Sequence, residues 1–386
     1  MFEVPLRINN EFIYSLEREK IHSVNDTVIA QLSLFPIIRT SELKRTIDDK
    51  FYAMQKLSVR TILNDLKQAA QVFRKMNFNI NGIPVSRQIY IDLVSESTGL
   101  NKSIVSIEIE EIACMLENLG KIIAIQLPGN LEECIDHHYY IKNGQRIGYY
   151  PTGKSLIINL PGNIPTICFY WLIPFAQKRP VFLIPAKEDP FTHLFIIEAI
   201  AKVNPLLASF ISFIPCKEVV QKNIFNICDQ ILISESYKSI INRSIDLIEK
   251  TFFIHYGRSK FLFTEQAKTE HIAMLYRRMI WNAGRTCTGL TSVVTTNNGE
   301  WLAREISSEL IKNHHDAGQL SKLSYSQAKR INDYIETYIE RGDAIDITEQ
   351  LRNTPRLLQT STGTVLYPTV LFIKNKKSDI FGTELF

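Results

Sequence analysis

Several patterns are missing from this 386-residue sequence, and each absence removes a class of function. Its six cysteines, Cys114, Cys134, Cys168, Cys216, Cys228 and Cys287, include no C-x-x-C pair, so neither a zinc spacing nor the disulfide framework of a small secreted domain is present. No apolar run is long enough for a membrane span: the longest, 164–176, is interrupted by Pro165 and Pro174. The opening residues, 1–12, carry Glu3, Pro5 and Arg7 where a secretory signal needs an unbroken apolar core. Basic residues are not gathered into a stripe. The 44 Lys and Arg stand against 40 Asp and Glu, a net charge of +4 spread along the chain, which gives no footprint for nucleic acid. Low-complexity tracts and internal repeats are absent, and 16 glycines with 15 prolines exclude a collagen-like or disordered chain. The expectation is a soluble cytoplasmic protein with no membrane span and no nucleic-acid partner.

What is present is material for a large core: 45% of residues are hydrophobic, and the length suits two domains or one large α/β domain. Through about residue 125 the periodicity is helical. Val59, Ile62, Leu63 and Leu66 recur at i, i+3, i+4 and i+7, and 107–119 repeats the pattern. From Ser155 strand-like and helical segments alternate: strands at 156–160, 181–184, 210–214, 230–233 and 252–255, with helices at 164–177 and 192–203. That alternation predicts right-handed βαβ units and a doubly wound parallel sheet of the nucleotide-binding type. Beyond 264 come helices at 271–280, 300–313 and 326–341, and strands at 292–296 and 364–373. The expected organisation is a mainly helical N-terminal region (1–145), a nucleotide-binding α/β domain (146–264) and a second, catalytic α/β domain (265–386) incomplete at its C-terminal end.

The segment Gly148-Tyr-Tyr-Pro-Thr-Gly153-Lys154-Ser155 matches the phosphate-loop pattern G-x-x-x-x-G-K-S. Such a loop works by leaving a strand and opening a helix whose first amides meet the phosphates. Here Lys154 is followed by the β-rich run 156–160, and a helix can begin only after Pro161-Gly162-Asn163. The reading is therefore a tight turn feeding a core strand. The dinucleotide fingerprint G-x-G-x-x-G is also missing. The pairs His137-His138 and His314-His315 lack helical ligand spacing with acidic partners, and no metal is assigned.

A nucleophilic cysteine needs a turn that presents its sulfur, small neighbours and a positive field. Asn282-Ala-Gly284-Arg285-Thr-Cys287-Thr-Gly289 has glycines on both sides and an arginine nearby. Asn282-x-Gly284-x-x-Cys287 resembles the N-x-G-x-x-C segment of the aldehyde dehydrogenase superfamily, and other landmarks follow in order. Pro161-Gly-Asn163-Ile-Pro165 resembles the turn after the first nucleotide-domain strand, 181–192 the next strand and its loop, and Tyr367-Pro-Thr-Val-Leu371 and Asp379-Ile-Phe-Gly382 the late landmarks. Within the superfamily the chain is most similar to the long-chain acyl-CoA reductases of bacterial luminescence, on Pro151–Ser155, Gly162–Pro165, Asp189–Thr192 and His255-Tyr-Gly257. The likeness runs from about Tyr90 to the end.

The resemblance implies an aldehyde-dehydrogenase-like α/β fold and an acyl-thioester reductase. Cys287 would carry the acyl group and Asn163 would donate to the oxyanion. Pro161, Gly162, Pro185, Lys187, Ser234, Ser236 and Asp379 would hold the cofactor, NADPH by the luminescence likeness, with NADH as the alternative. The substrate would be an acyl-CoA or acyl-carrier-protein thioester. An acyl-synthetase or a complementing protein would be the partner, in a homo- or hetero-oligomer. His255 stands where the hydrolytic enzymes of the superfamily place a water-activating glutamate, which favours thioester reduction over aldehyde oxidation. Ile184 replaces the cofactor-gripping lysine, Glu235 brings a carboxylate to the pyrophosphate loop, and Asp379 is one methylene shorter than the usual glutamate. These departures keep open a second reading, a cofactor-deficient relative acting as a non-redox acyl-transfer partner or scaffold.

Overall fold

A computed structural model describes residues 1–234, 245–254, 259–286, 288–313, 320–375 and 377–382. The contacts divide the chain into two compact units. The first comprises Met1–Ile21, Ile29–Val94 and Val105–His255, and the second His22–Val28, Ser95–Ile104 and Tyr256–Phe386. The chain opens with strands β1 (Phe2–Val4), β2 (Leu6–Ile8), β3 (Glu11–Ile13), β4 (Arg18–His22) and β5 (Val28–Ser33). Helices α1 (Thr40–Gln55) and α2 (Val59–Lys75) follow, then the hairpin β6 (Phe78–Ile80) and β7 (Ile83–Val85). Next come α3 (Arg87–Thr98), α4 (Lys102–Gln126) and a second hairpin, β8 (Tyr139–Lys142) and β9 (Gln145–Gly148).

The region 1–145, expected to be mainly helical, carries the long helices α1–α4 but opens with strands, and its residues are divided between the two units. Its strands are three to six residues long, too short for a period of two to emerge from the sequence. The helical expectation rested on α2 and α4, which are present. In α4 the buried stripe is Val105, Glu108, Ile109, Ile112 and Leu116, while Ile107 is exposed.

The first unit is organised by β10 (Leu156–Asn159), β11 (Val181–Ile184), β12 (Ile211–Phe213), β13 (Gln230–Ser234) and β14 (Thr251–Ile254). These are mutually parallel, and β2 joins β12 antiparallel, giving a 7-stranded sheet ordered β14-β13-β10-β11-β12-β2-β3. β10 and β11 are buried along their whole length, as expected for parallel strands covered on both faces. On one face Ile157, Phe182, Ile184, Ile231 and Ile233 pack with Leu43 and Ile47 of α1 and with Ile224 and Phe225 of the helix Glu218–Ile227. The connecting helices α5 (Phe169–Ala176) and α6 (Pro190–Val203) are strongly apolar, α6 being buried from Pro190 through Ile200.

In the second unit β15 (Ser259–Phe263) pairs in parallel with β16 (Leu290–Thr295). Phe263, Leu275, Leu302, Ile306 and Leu310 form its core, from β15 and the helices Ile272–Ile280 and Gly299–Asn313. Two antiparallel pairs complete it: β17 (Ala344–Asp346) with β20 (Leu371–Ile373), and β18 (Leu357–Thr360) with β19 (Gly363–Leu366). The run expected as one strand at 364–373 is β19 and β20, separated at Tyr367-Pro368, where proline has no N–H for a ladder. Among the described residues no helix is long and apolar enough to cross a membrane.

Candidate functional site

The chain leaves β10 for β11 and β12 on one side, then returns past β10 to β13 and β14 on the other. The carboxyl ends of β10 and β13 are therefore the topological switch point, where open α/β sheets bind ligands. Pro161, Gly162 and Asn163 follow β10, Pro185 and Lys187 follow β11, and Ser234 ends β13, so these sequence-predicted residues share one edge of one sheet. Ser234 is buried, as is Pro185, whereas Lys187 is exposed with its ammonium against the carboxylate of Glu19. Ser236 and Glu235 lie outside the described residues.

Gly162 is where two of these loops meet. A Cβ there would lie 2.9 Å from Ala186 Cβ, 3.0 Å from Glu188 Cβ and 3.2 Å from Asp189 N. Any larger residue would push the turn off the loop after β11. Asn163 is half-buried at the crest of this turn, and the one-turn helix Pro165–Cys168 follows at once. The side chain at its N-cap, Ile164, supplies no hydrogen bond. Instead Glu108 of α4, fully buried, accepts the Thr166 N–H at 2.8 Å.

The loop after β11 is fixed by its own polar groups. Asp189 accepts the Thr192 N–H at 3.0 Å and the Thr192 hydroxyl at 2.6 Å, which caps α6, and the Tyr90 hydroxyl lies 2.8 Å from Thr192 Oγ1. Burial pushes the Asp189 carboxyl up to about 6. One turn on, His193 Nδ1 accepts the Trp171 indole N–H at 3.2 Å, and burial holds its imidazole down at about 4. Burial also raises the thiol of Cys168 well above the usual range and that of Cys228 to about 12. Both are core cysteines rather than nucleophiles.

The phosphate-loop match at 148–155 has a different use. Lys154 and Ser155 enter β10 directly, and the Asp229 carboxylate accepts both backbone N–H groups, at 2.8 and 3.0 Å, and the Ser155 hydroxyl at 3.1 Å. Amides that would face a phosphate are met by a carboxylate of the same chain. The Lys154 ammonium lies 2.8 Å from Asp48 and beside the Tyr52 ring.

In the second unit the segment before Cys287 makes a run of left-handed residues: Asn282 at φ 48°, Ala283 at φ 56° and Gly284 at φ 75°. Only the glycine adopts this at no cost; the alanine costs about 1–2 kcal/mol. The turn is tied down by Arg285, whose guanidinium donates to the carbonyls of Thr98 at 2.5 Å and Lys322 at 2.6 Å. Burial lowers the Arg285 pKa to about 10, so it stays charged at neutral pH. Two of its donors are thus engaged by backbone oxygens. Cys287 and His255 lie outside the described residues. Asp379 is exposed, at the start of the short helix Asp379–Gly382, and lies against Tyr338, whose phenol burial pushes up, with Tyr334 and Asp379 adding to the effect.

Sequence reasoning missed Glu108 and Asp229. The first had a signal: the stripe 105, 109, 112 and 116 places position 108 on the buried face of its helix. Asp229 had none, because its partners are 74 and 75 residues away.

No family model matches the chain, and no curated protein matches it. Solved structures do, at low identity. The fold is similar to that of the NAD+ complex of an aldehyde dehydrogenase from Bacillus cereus (TM-score 0.76, 16% identity, covering 100% of this chain and 78% of that one). It is similar to a 3,6-anhydro-L-galactose dehydrogenase (0.77, 14%, 98% and 79%) and to an aldehyde dehydrogenase from Brucella melitensis biovar abortus 2308 (0.74, 13%, 96% and 75%). The fold is aldehyde-dehydrogenase-like: mixed α/β around a central parallel sheet.

Proposed function

We propose that the protein is a pyridine-nucleotide-dependent oxidoreductase that reduces an acyl thioester to an aldehyde. The observation that carries this reading is the Asn163 turn at the switch point of an aldehyde-dehydrogenase-like sheet, in a chain whose second unit bears the Asn282-x-Gly284-x-x-Cys287 segment. In this reading the Cys287 thiolate attacks the acyl carbon, and the tetrahedral oxyanion takes the Asn163 side-chain N–H. The carbonyl re-forms as the thiol of CoA or carrier protein leaves with a proton. NADPH, when bound, supplies the hydride. The acyl-enzyme then becomes a thiohemiacetal, which releases aldehyde and restores the cysteine. Losing one oxyanion donor costs on the order of 3 kcal/mol of transition-state stabilisation.

The residues present fit a dinucleotide. Pro161, Gly162 and Ser234 line the switch-point edge, and Lys187 is an exposed cation on the adjoining loop, in a surface ion pair with Glu19 that a phosphate-bearing ligand would displace at little cost. Pro185 would act by fixing that loop's backbone, and Asp379 would reach the nicotinamide ribose. His255, in place of the glutamate that activates water in the hydrolytic enzymes, supports the reductive direction. Ile184, standing where the superfamily's cofactor-gripping lysine is expected, favours a second reading, a non-redox acyl-transfer partner that no longer binds cofactor.

The deciding experiment is intact-mass analysis of the protein incubated with a panel of acyl-CoA thioesters, with and without NADPH. The expected result is an acyl adduct that is absent in Cys287→Ala and discharged as aldehyde when NADPH is added. An adduct on Cys114 or Cys168 would refute the site. An adduct on Cys287 that NADPH does not discharge, with no fluorescence change on NADPH titration, would establish the second reading instead.

A further inference from the structure

We propose that Glu108 is a positioning residue for the Asn163 turn: from a separate helix it supplies the N-terminal cap that the short helix after Asn163 lacks, and so fixes where Asn163 stands. The inference rests on the oxidoreductase reading for its effect on turnover, and on geometry alone for its effect on the turn.

The first backbone N–H groups of any helix lack intrahelical partners, and a Ser, Thr, Asp or Asn at the N-cap ordinarily satisfies one of them. In the helix Pro165–Cys168 the N-cap is Ile164, in extended conformation at φ −148° and ψ 144°, with a side chain that accepts nothing. Pro165 has no N–H to satisfy. Thr166 therefore holds the first free donor of the turn, and it is this group that meets Glu108 Oε2 at 2.8 Å. The carboxyl belongs to α4, 58 residues earlier, and has 0% exposure in a stripe otherwise built from Val105, Ile109, Ile112 and Leu116. A carboxyl at a core position is costly unless its hydrogen bonds are made, so the bond to Thr166 is strong where it stands.

The turn is then gripped on both sides of Asn163. Ahead of it, Gly162 is seated against Ala186, Glu188 and Asp189 with no room for a Cβ. Behind it, Thr166 is anchored to Glu108. Asn163 spans the gap between two fixed points, the arrangement that preorganised donors require. No group on α4 touches a reacting atom in this scheme; Glu108 acts through the backbone.

The experiment compares three variants with the parent. Glu108→Gln keeps a carbonyl oxygen able to accept from Thr166. Glu108→Leu keeps the volume and removes the acceptor, so it tests the bond without opening a cavity. Glu108→Ala removes both and serves only if it folds. Amide hydrogen exchange across 161–168 should quicken in the Leu variant and not in the Gln variant, with exchange in β11 and β12 unchanged. Turnover of a long-chain acyl-CoA with NADPH should fall 10-fold to 100-fold in kcat for the Leu variant at little-changed KM, and recover in the Gln variant. A Leu variant with parental exchange in 161–168 and parental kcat overturns the proposal. If the parent itself fails to turn over thioester, the oxidoreductase reading fails, and the exchange comparison still decides whether Glu108 holds the turn.

Discussion

The two ends of strand β10 are held by the same chemical device under different conditions. Upstream, the Asp229 carboxylate accepts the backbone N–H of Lys154 at 2.8 Å; downstream, the Glu108 carboxyl accepts that of Thr166 at the same 2.8 Å. Asp229 is exposed and Glu108 is completely buried. Length and donor type are equal, so the difference in consequence comes from the surroundings. At the exposed end water replaces a lost partner, whereas at the buried end nothing does. The motif that looks functional in the sequence sits at the forgiving end, and the turn with no familiar phosphate signature sits at the demanding one.

The largest expected effect tests how dry the downstream end is. Asp189 and His193 lie on the same buried helix turn with opposite shifts, to about 6 and about 4. Asp189, raised from 3.8, is destabilising when ionised, so its contribution to stability grows as pH falls from 6 towards 4. His193, lowered from 6.5, binds its proton more readily in the unfolded chain, so its contribution is lost as pH falls from 6.5 towards 4. The two largely offset one another in the parent. Asp189→Asn, which keeps the cap, should therefore lose stability relative to the parent by about 3 kcal/mol between pH 7 and pH 3, measured by urea denaturation. A difference independent of pH would mean that Asp189 is solvated and that the contrast between the two ends is false.

Next in size is Gly162→Ala. The added methyl meets Asp189 N at 3.2 Å and two Cβ atoms at 2.9 and 3.0 Å, so the backbone of one loop must move. Overpacking of this kind costs about 2 kcal/mol, and the displaced Asn163 should lower kcat more than KM. Unchanged stability with unchanged turnover would show that the turn has slack. Asp229→Ala comes below it, at about 1 kcal/mol by chemical denaturation, because water reaches the exposed position of Asp229 and the Lys154 amide it releases, though not the buried Ser155. A loss above that of Gly162→Ala would invert the comparison.

How much of this was legible beforehand follows the same division. Strands 181–184 and 230–233, and the helices near 192–203 and 300–313, stand where hydrophobic runs and periods placed them, because those segments are long or wholly buried. The parallel sheet followed from alternation, and the Pro161–Asn163 turn from its position after β10. The N-terminal strands were not legible: Leu6–Ile8 gains its identity by pairing with β12, more than 200 residues away, at Arg7 and Phe213. At the site, Gly162 was assigned to cofactor contact by resemblance; that the loop 186–189 also leaves no room for a Cβ there was not legible. Arg285 read as a positive field beside Cys287, yet its donors reach for Thr98 and Lys322. Sequence shows residue type and order; which partner a polar group spends its hydrogen bonds on is a tertiary fact.

The smallest expected effect is the most discriminating for the upstream loop. Lys154 satisfies the phosphate-loop pattern, and in a working loop of that kind its ammonium would face the β- and γ-phosphates. Here it lies against Asp48 and the Tyr52 ring, on the surface, and its backbone N–H is taken by Asp229. The residue opens a strand, so no helix dipole gathers behind an anion. Lys154→Ala should therefore leave NADPH and ATP titrations superimposable on those of the parent and the melting temperature unchanged, since an exposed ion pair contributes little. The same should hold in the Asp229→Ala background, where the amides are released. Tight ATP binding by the parent that Lys154→Ala abolishes would reverse the order of the two ends, making the amino end of β10 the ligand site and its carboxyl end the structural one.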